Sequence, residues 1–577
     1  MHRTLLLAKT FFGRFFESDL MPPGLPQAQL VIWSMAFLAM PGLLLPVRFA
    51  AMILGAPPNA PGMPRLLVLH HLLFITLSMT AIGLVALLIW NGMFPDRRDA
   101  RILGGLPVSR RVLIAARLIA LAALCGIFVL GINAMPTVLN GPLLPLVGGA
   151  SNPLRGVAAH FLATSLSGTF VFSSLLMLQG IVLNIGGRKA ADRLSLVLQI
   201  LFLATLLQMI FFLPRMAGIL TGDLSTGWIR ALPSVWFLGL YDTIAGRPAA
   251  GSTGLAVTAL AGTLGTVAVA VGLFVATHDR LMRLALESHE SAKRSRLALR
   301  LFGAATRVLC RHQVARATFE FTLRTLARSR SHRLLMAMYV GVAIALVASG
   351  LVPLAIGRGF AGFLEPGVEV LSAPLVIAFF TLIGTRVAIA IPVEPKANWV
   401  IRLREPGTRG AAIDGVRAAL LVVGVLPAAL LAAVSAATLW GPRAALIHTI
   451  VCVLMGALLA EILVTNMFKF PFTCTYYPGR SRFGVLWPFY LTAFSLYSYT
   501  TARFEQTILL VARTRQPLVY FSLFILTSIA GFTWVRHRRL AAVSGFRYEE
   551  EPTDTMFAGF NLSEGFAAAS KESRQLR

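Results

Sequence analysis

Twelve predominantly apolar stretches, most of them about 20 residues long, constrain this chain more than any other feature. Hydrocarbon offers no hydrogen bonds to backbone N–H and C=O groups, so a segment crossing it must be a helix or belong to a closed barrel. A barrel requires alternating strands of about ten residues. The runs here are continuous rather than alternating, so the fold class is all-α, a polytopic membrane protein. Composition agrees. Of the 577 residues 56% are hydrophobic and 13% charged, against about 25% charged in an ordinary soluble domain.

Six segments fall in the first part, from Gln27 to Val47, Leu66 to Phe94, Val112 to Asn133, Val157 to Val182, Leu194 to Leu213 and Thr253 to Thr277. Six follow a charged stretch, from Leu334 to Ile356, Val368 to Ile391, Val416 to Leu439, Ala444 to Met467, Val485 to Thr500 and Leu518 to Trp534. The expected organisation is a first six-helix half over 1–277, a basic cytoplasmic linker over 278–333, a second six-helix half over 334–534 and a cytoplasmic tail over 535–577. Such duplication is common among transporters. Before the first span, Lys9 and Arg14 beside Phe11, Phe12, Phe15 and Phe16 suggest an amphipathic helix on the membrane surface.

The 52 Lys and Arg outnumber the 24 Asp and Glu, leaving a formal charge of +28. With the N-terminus placed inside, 38 of the basic residues fall in cytoplasmic segments and 11 in outer loops. That asymmetry makes the charge a topology signal with both termini cytoplasmic, rather than a nucleic-acid footprint.

No catalytic or cofactor signature is present. The nearest approach to a phosphate loop, Ile185 to Arg193, lacks the Lys-Ser/Thr pair, so the chain is not expected to bind or hydrolyse ATP itself. HExxH and GxSxG are absent, and Cys125, Cys310, Cys452 and Cys474 form no CxxC pair. His70 and His71 point about 100° apart on a helix and read as packed or pore-lining side chains rather than metal ligands. Glu461 lies inside the tenth span, where a lone charge costs about 3 kcal/mol. Arg386, at similar depth in the eighth span, is the candidate partner, with a structural ion pair and a relay both open. Arg117 and Arg417 lie about two turns into the third and ninth spans, where snorkelling to the interface is the default reading.

Each half carries a basic, proline-containing loop between its second and third spans, Phe94 to Arg111 and Val393 to Gly410. The first partly matches the GxxxDRxGRR-like loop of major-facilitator carriers in GMFPDRRDAR, although Asp99 replaces the second glycine. The run that follows, with Leu106, Pro107, Val108 and Ser109 before Arg110 and Arg111, resembles the coupling region of type-2 ATP-binding-cassette exporter permeases. EPKANWVIRLREPG (Glu394 to Gly407), KFPFTCTYYPGR (Lys469 to Arg480) and FRYEEEP (Phe546 to Pro552) resemble segments of fused two-half bacterial exporters of that kind.

The resemblance implies a permease of the bacterial cytoplasmic membrane that moves an exported substrate, with ATP hydrolysed by cytoplasmic ATPase partner subunits, expected to be two. Ile102, Leu103, Pro107 and Ser109 in the first loop, and Trp399, Val400 and Ile401 in the second, are the expected docking residues. A docking loop needs a turn-forming proline and a few apolar anchors, and a large aromatic such as Trp399 commonly dominates such an interface. The greasy spans favour a lipidic, amphipathic or drug-like cargo. An ion-coupled carrier of the major-facilitator type is the alternative, and it would place titratable residues in a central cavity.

Overall fold

The computed structural model describes residues 2–15, 52, 55, 62–95, 97–103, 105, 107–140, 152–219, 229–246, 250–287, 309–392, 403, 409–473, 483–510, 516–542 and 545–546. Every regular element among them is helical. Ten helical segments are long and apolar enough to cross a bilayer, matching the second to tenth and the twelfth expected spans, so the chain is an all-α, multi-pass membrane protein. The first expected span, 27–47, lies outside the described residues. The eleventh falls on a helical stretch interrupted by a π turn at Leu496–Thr500.

The chain divides into two compact units, Met1–Lys293 with Ile344–Ser349, and Arg294–Ala343 with Gly350–Arg577. In the first, α1 is His2–Arg14, α2 Met63–Leu88, α3 Arg97–Leu103, α4 Arg110–Asn140, α5 Pro153–Ile219, α6 Pro233–Ile244 and α7 Ser252–Glu287. The backbone of α5 is helical over 67 residues, about 100 Å if straight and three times the hydrocarbon thickness. It does not run straight. A Cβ built on Gly83 of α2 would meet both Val171 and Leu206, at 3.1 and 2.5 Å, so two positions 35 residues apart on α5 reach one point on α2. The chain reverses between them, giving the fourth and fifth spans.

Helix α2 is therefore the centre of this unit. Lipid competes with apolar contacts, so close packing of small residues and interhelical hydrogen bonds carry the association. Ser78 Oγ donates to the Thr164 carbonyl at 2.8 Å and accepts from Asn133 Nδ2 at 2.9 Å, and Thr80 Oγ1 donates to the Leu206 carbonyl at 3.1 Å. These bonds join α2 to α4 and to both arms of α5. Between the fifth and sixth spans lies the 12-residue α6, about 18 Å long and too short to span. Its buried residues Val235, Phe237, Leu238 and Tyr241 pack it among the other helices rather than leaving it an open loop.

In the second unit, α8 is Gln313–Arg328, α9 Arg330–Arg358 apart from its stretch Ile344–Ser349, α10 Val368–Ala390, α11 Arg409–Leu420, α12 Leu426–Trp440, α13 Pro442–Thr465, α14 Phe483–Ser495, α15 Thr501–Leu510 and α16 Gln516–Ala541. Between α11 and α12 a π turn at Leu421–Val425 leads into Pro427, whose missing N–H breaks the regular ladder. Glycines let these helices approach, Gly384 of α10 lying against Tyr339 of α9, Gly424 of the π turn against Leu382 of α10 and Gly456 of α13 against Val425; α16 turns Leu523, Phe524 and Leu526 outward, as lipid-facing surface should be.

Amphipathic helices lie on the third span of each unit. In the first, Ala8 and Phe11 of α1 pack on Ala116 and Ala120 of α4. In the second, Ala315 and Phe319 of α8 pack on Ala418 and Ala419 of α11. The contact of α8 is the tighter: a Cβ on Gly415 would come within 2.3 Å of the Ala315 carbonyl oxygen and 3.0 Å of the Phe319 nitrogen. Backbone cannot swing aside as a side chain can, so Gly415→Ala is expected to destabilise by about 2 kcal/mol. Thermal unfolding in detergent checks this, with Gly531→Ala, which faces open space, as the variant whose midpoint should not fall.

Candidate functional site

The first loop is built around one carboxylate. The chain leaves α2, makes a 3-10 turn at Trp90–Gly92 and forms the seven-residue α3 before re-entering the membrane as α4. Asp99 on α3 is 1% exposed. Its Oδ1 faces Arg14 of α1 and its Oδ2 faces Arg117 of α4, both at ion-pair distance. The Arg117 Nε also donates to the Met93 carbonyl at 3.3 Å, and its Nη2 to the carbonyls of Phe94, at 3.1 Å, and Gly92. The guanidinium stands 5.0 Å from the centre of the Phe11 ring. Arg117 does not snorkel. It is 6% exposed and fastens the turn after α2, the helix α3 and the surface helix α1 to the third span.

The proposed docking residues separate on this scaffold. Ile102 is 54% exposed, whereas Leu103 turns inward onto the Ala8, Phe11, Ala116 and Ala120 cluster. Leu103 is thus a structural anchor of α3. Pro107 and Ser109 are exposed, and the Ser109 carbonyl accepts from the amides of Val112 and Leu113 at 3.0 and 3.2 Å at the start of α4. Trp399, Val400 and Ile401 lie outside the described residues.

In the second unit the corresponding arginine again meets an acid, from a different direction. Glu461 is fully buried on α13. Arg536 Nε of α16 donates to Glu461 Oε1 at 2.8 Å, and Arg417 Nε of α11 lies 3.1 Å from Oε2. Arg536 Nη2 in turn lies 2.9 Å from Asp414 Oδ1. Only the first contact has hydrogen-bond geometry; the others are charge contacts. This corrects two expectations. Glu461 pairs with Arg536 and Arg417, while Arg386 uses its Nε on the Leu463 carbonyl at 3.0 Å. Arg417 is tied into the cluster rather than free to snorkel.

Near the other end of α13, about 20 Å away by helical rise, His448 Nδ1 and Glu505 Oε1 of α15 are 2.8 Å apart, both side chains at most 1% exposed. Its counterpart in the first unit is aromatic: His160 of α5 faces Tyr241 of α6, with ring centres 6.5 Å apart. His71 stacks on the same tyrosine at 4.0 Å while His70 turns to Phe74 at 4.8 Å, so the adjacent histidines do diverge. Among the described residues no group of three or more His, Cys, Asp or Glu is placed to hold a metal ion. Cys125, Cys310 and Cys452 are buried free thiols, and burial pushes that of Cys310 above its usual range, which suppresses the reactive thiolate.

Sequence reading passed over Asp99, Arg536, His448 and Glu505. Asp99 registered only as a departure from a motif, and Arg536 sat just beyond the last apolar run. The detectable signal was arithmetic: each buried arginine two turns into a span needs an acid, and few acids are available. No protein-family profile, curated protein or solved structure matches this chain.

Proposed function

We propose that the chain is the permease of a bacterial type-2 ATP-binding-cassette exporter, its two six-helix halves fused and its energy supplied by two separate cytoplasmic ATPase subunits. The observation that carries this reading is α3, whose inner side is fastened by Asp99 and Leu103 while Ile102 faces out. A coupling element must receive a push without yielding. Charge-assisted pairs to two other helices give such stiffness, and an exposed apolar residue gives a partner something to grip. Movement of α3 would pass through Arg117 into the third span and shift the balance between inward- and outward-open states. The proposed orientation has both termini in the cytoplasm.

A single observation favours an ion-coupled carrier instead, the buried His448–Glu505 pair, since a histidine-carboxylate contact deep in a helical bundle can take up and pass on a proton. One experiment separates the two. The tagged full chain should co-purify with an ATPase subunit, and Ile102→Asp and Trp399→Asp should each reduce the recovered subunit about tenfold. If the wild-type chain carries no ATPase and transports on an ion gradient alone, the exporter reading fails.

A further inference from the structure

A cavity of about 280 Å³ opens in the second unit between the last turn of α10 and the segment that follows α13. Arg386, Ile389, Ala390, Asn466, Met467, Phe468, Lys469 and Phe470 line it. Among the described residues the lining has two cations, one amide, an apolar remainder and no carboxylate. The nearby Glu461 is already held between Arg536 and Arg417.

The bland explanation for such cations is that they neutralise the carbonyl ends of two helices. Arg386 does so with one atom only, Nε on the Leu463 carbonyl. Its Nη1 and Nη2 have no hydrogen-bond partner among the described residues. A guanidinium fixed by one edge presents its remaining N–H groups as a preoriented fork, the geometry that suits a phosphate.

The opposite wall is also fixed. Phe472 holds a left-handed backbone, φ 61°, uncommon for a bulky residue. Its N–H donates to the Ile389 carbonyl at 2.9 Å, and its ring packs against His332 and Phe321, with centres 5.1 and 5.7 Å away. Phe470 is braced by Phe546, ring centres 5.6 Å apart. These contacts hold 466–470 as a shelf facing Arg386. Arg539 on α16 binds the amide oxygen of Asn466 and so holds that part of the wall.

We infer that this cavity binds the phosphate of an anionic phospholipid. Arg386 would take the phosphate oxygens, Lys469 would add charge, and Ile389, Met467 and Phe468 would meet the glycerol and upper acyl carbons. The source is lipid rather than free phosphate because the lining beyond the cations is apolar and the helices forming it are membrane spans, where a lipid headgroup is already concentrated. The inference does not depend on how transport is energised.

The test uses the full chain in nanodiscs of phosphatidylcholine with a one-tenth part of phosphatidylglycerol, followed by delipidation and native mass spectrometry. The expected result is one retained phosphatidylglycerol per chain, with retention falling about tenfold in Arg386→Gln and partly preserved in Arg386→Lys. Ala390→Phe fills the cavity with both cations in place, and it should reduce retention as strongly. Circular dichroism and a thermal melt identify any variant that has failed to fold, and Ala390→Phe then decides alone. Retention unchanged in a folded Ala390→Phe chain overturns the inference. So does displacement of the lipid by millimolar inorganic phosphate, which would make this a site for the free anion.

Discussion

Glu461→Leu is expected to lower the stability of the second unit by about 3 kcal/mol, because it removes the carboxylate from between two arginines and leaves a buried cation. Arg536 suffers most. It is fully buried, and its only remaining ion-pair contact among the described residues is Asp414, itself 40% exposed. Arg417, 34% exposed, can shift its charge toward water. The unfolding midpoint in detergent should fall by about 10 °C. Arg536→Met should behave similarly, by stranding Glu461 with one half-exposed partner. The informative variant is the double replacement, Glu461→Leu with Arg536→Met. Burying two charges is expensive even when they pair, so removing both should recover most of the lost stability. If Glu461→Leu alone is as stable as wild type, the cluster is not carrying the packing of α11, α13 and α16, and this account of it is wrong.

Asp99→Ala should have the largest effect on function. Arg117 keeps its bonds to the carbonyls of Gly92, Met93 and Phe94, so the stability loss should be smaller, about 2 kcal/mol. What is lost is the fastening of α3. Under the proposed mechanism the ATPase still docks, because Ile102 remains outside, but its movement is dissipated in the loop. Transport should fall at least about tenfold while ATP hydrolysis by the assembled complex persists, and Asp99→Glu should recover part of the coupling. The measurement is the ratio of substrate moved to ATP hydrolysed in proteoliposomes. A normal ratio in Asp99→Ala would rule out α3 as the force-transmitting element. Combining Asp99→Ala with Arg117→Ala should cost less than the sum of the two, since both break one contact.

Both variants concern residues whose roles were hard to see in the sequence. Arg117 and Arg417 were visible as charges in apolar runs, and their shared depth in the third and ninth spans was legible too. Their partners were not. Glu461 and Arg536 are 75 residues apart, and Arg386 looked an equally good match by depth alone. Depth along a helix is readable from position in the run, whereas the direction a side chain faces depends on how the helix is rotated against its neighbours. Arg386 points to the carbonyl end of α13 and into a cavity, a fact of rotation rather than of depth. The motifs show the same division. KFPFTC and the tail phenylalanine Phe546 were separate strings of letters until Phe470 brought them together.

By itself the sequence determined that this chain is a bundle of membrane helices, because hydrocarbon forbids any other use of long apolar segments. It also determined where the chain must leave the membrane, since charge and proline mark those points. Tertiary structure alone decided which charges meet, that both arms of α5 pack on one point of α2, and that one arginine turns an open edge toward a cavity. Burial of apolar surface is indifferent to partner and direction, so composition can specify it. Ion pairs and hydrogen bonds act over a few ångströms at set angles, and only the packed helices bring such groups within reach.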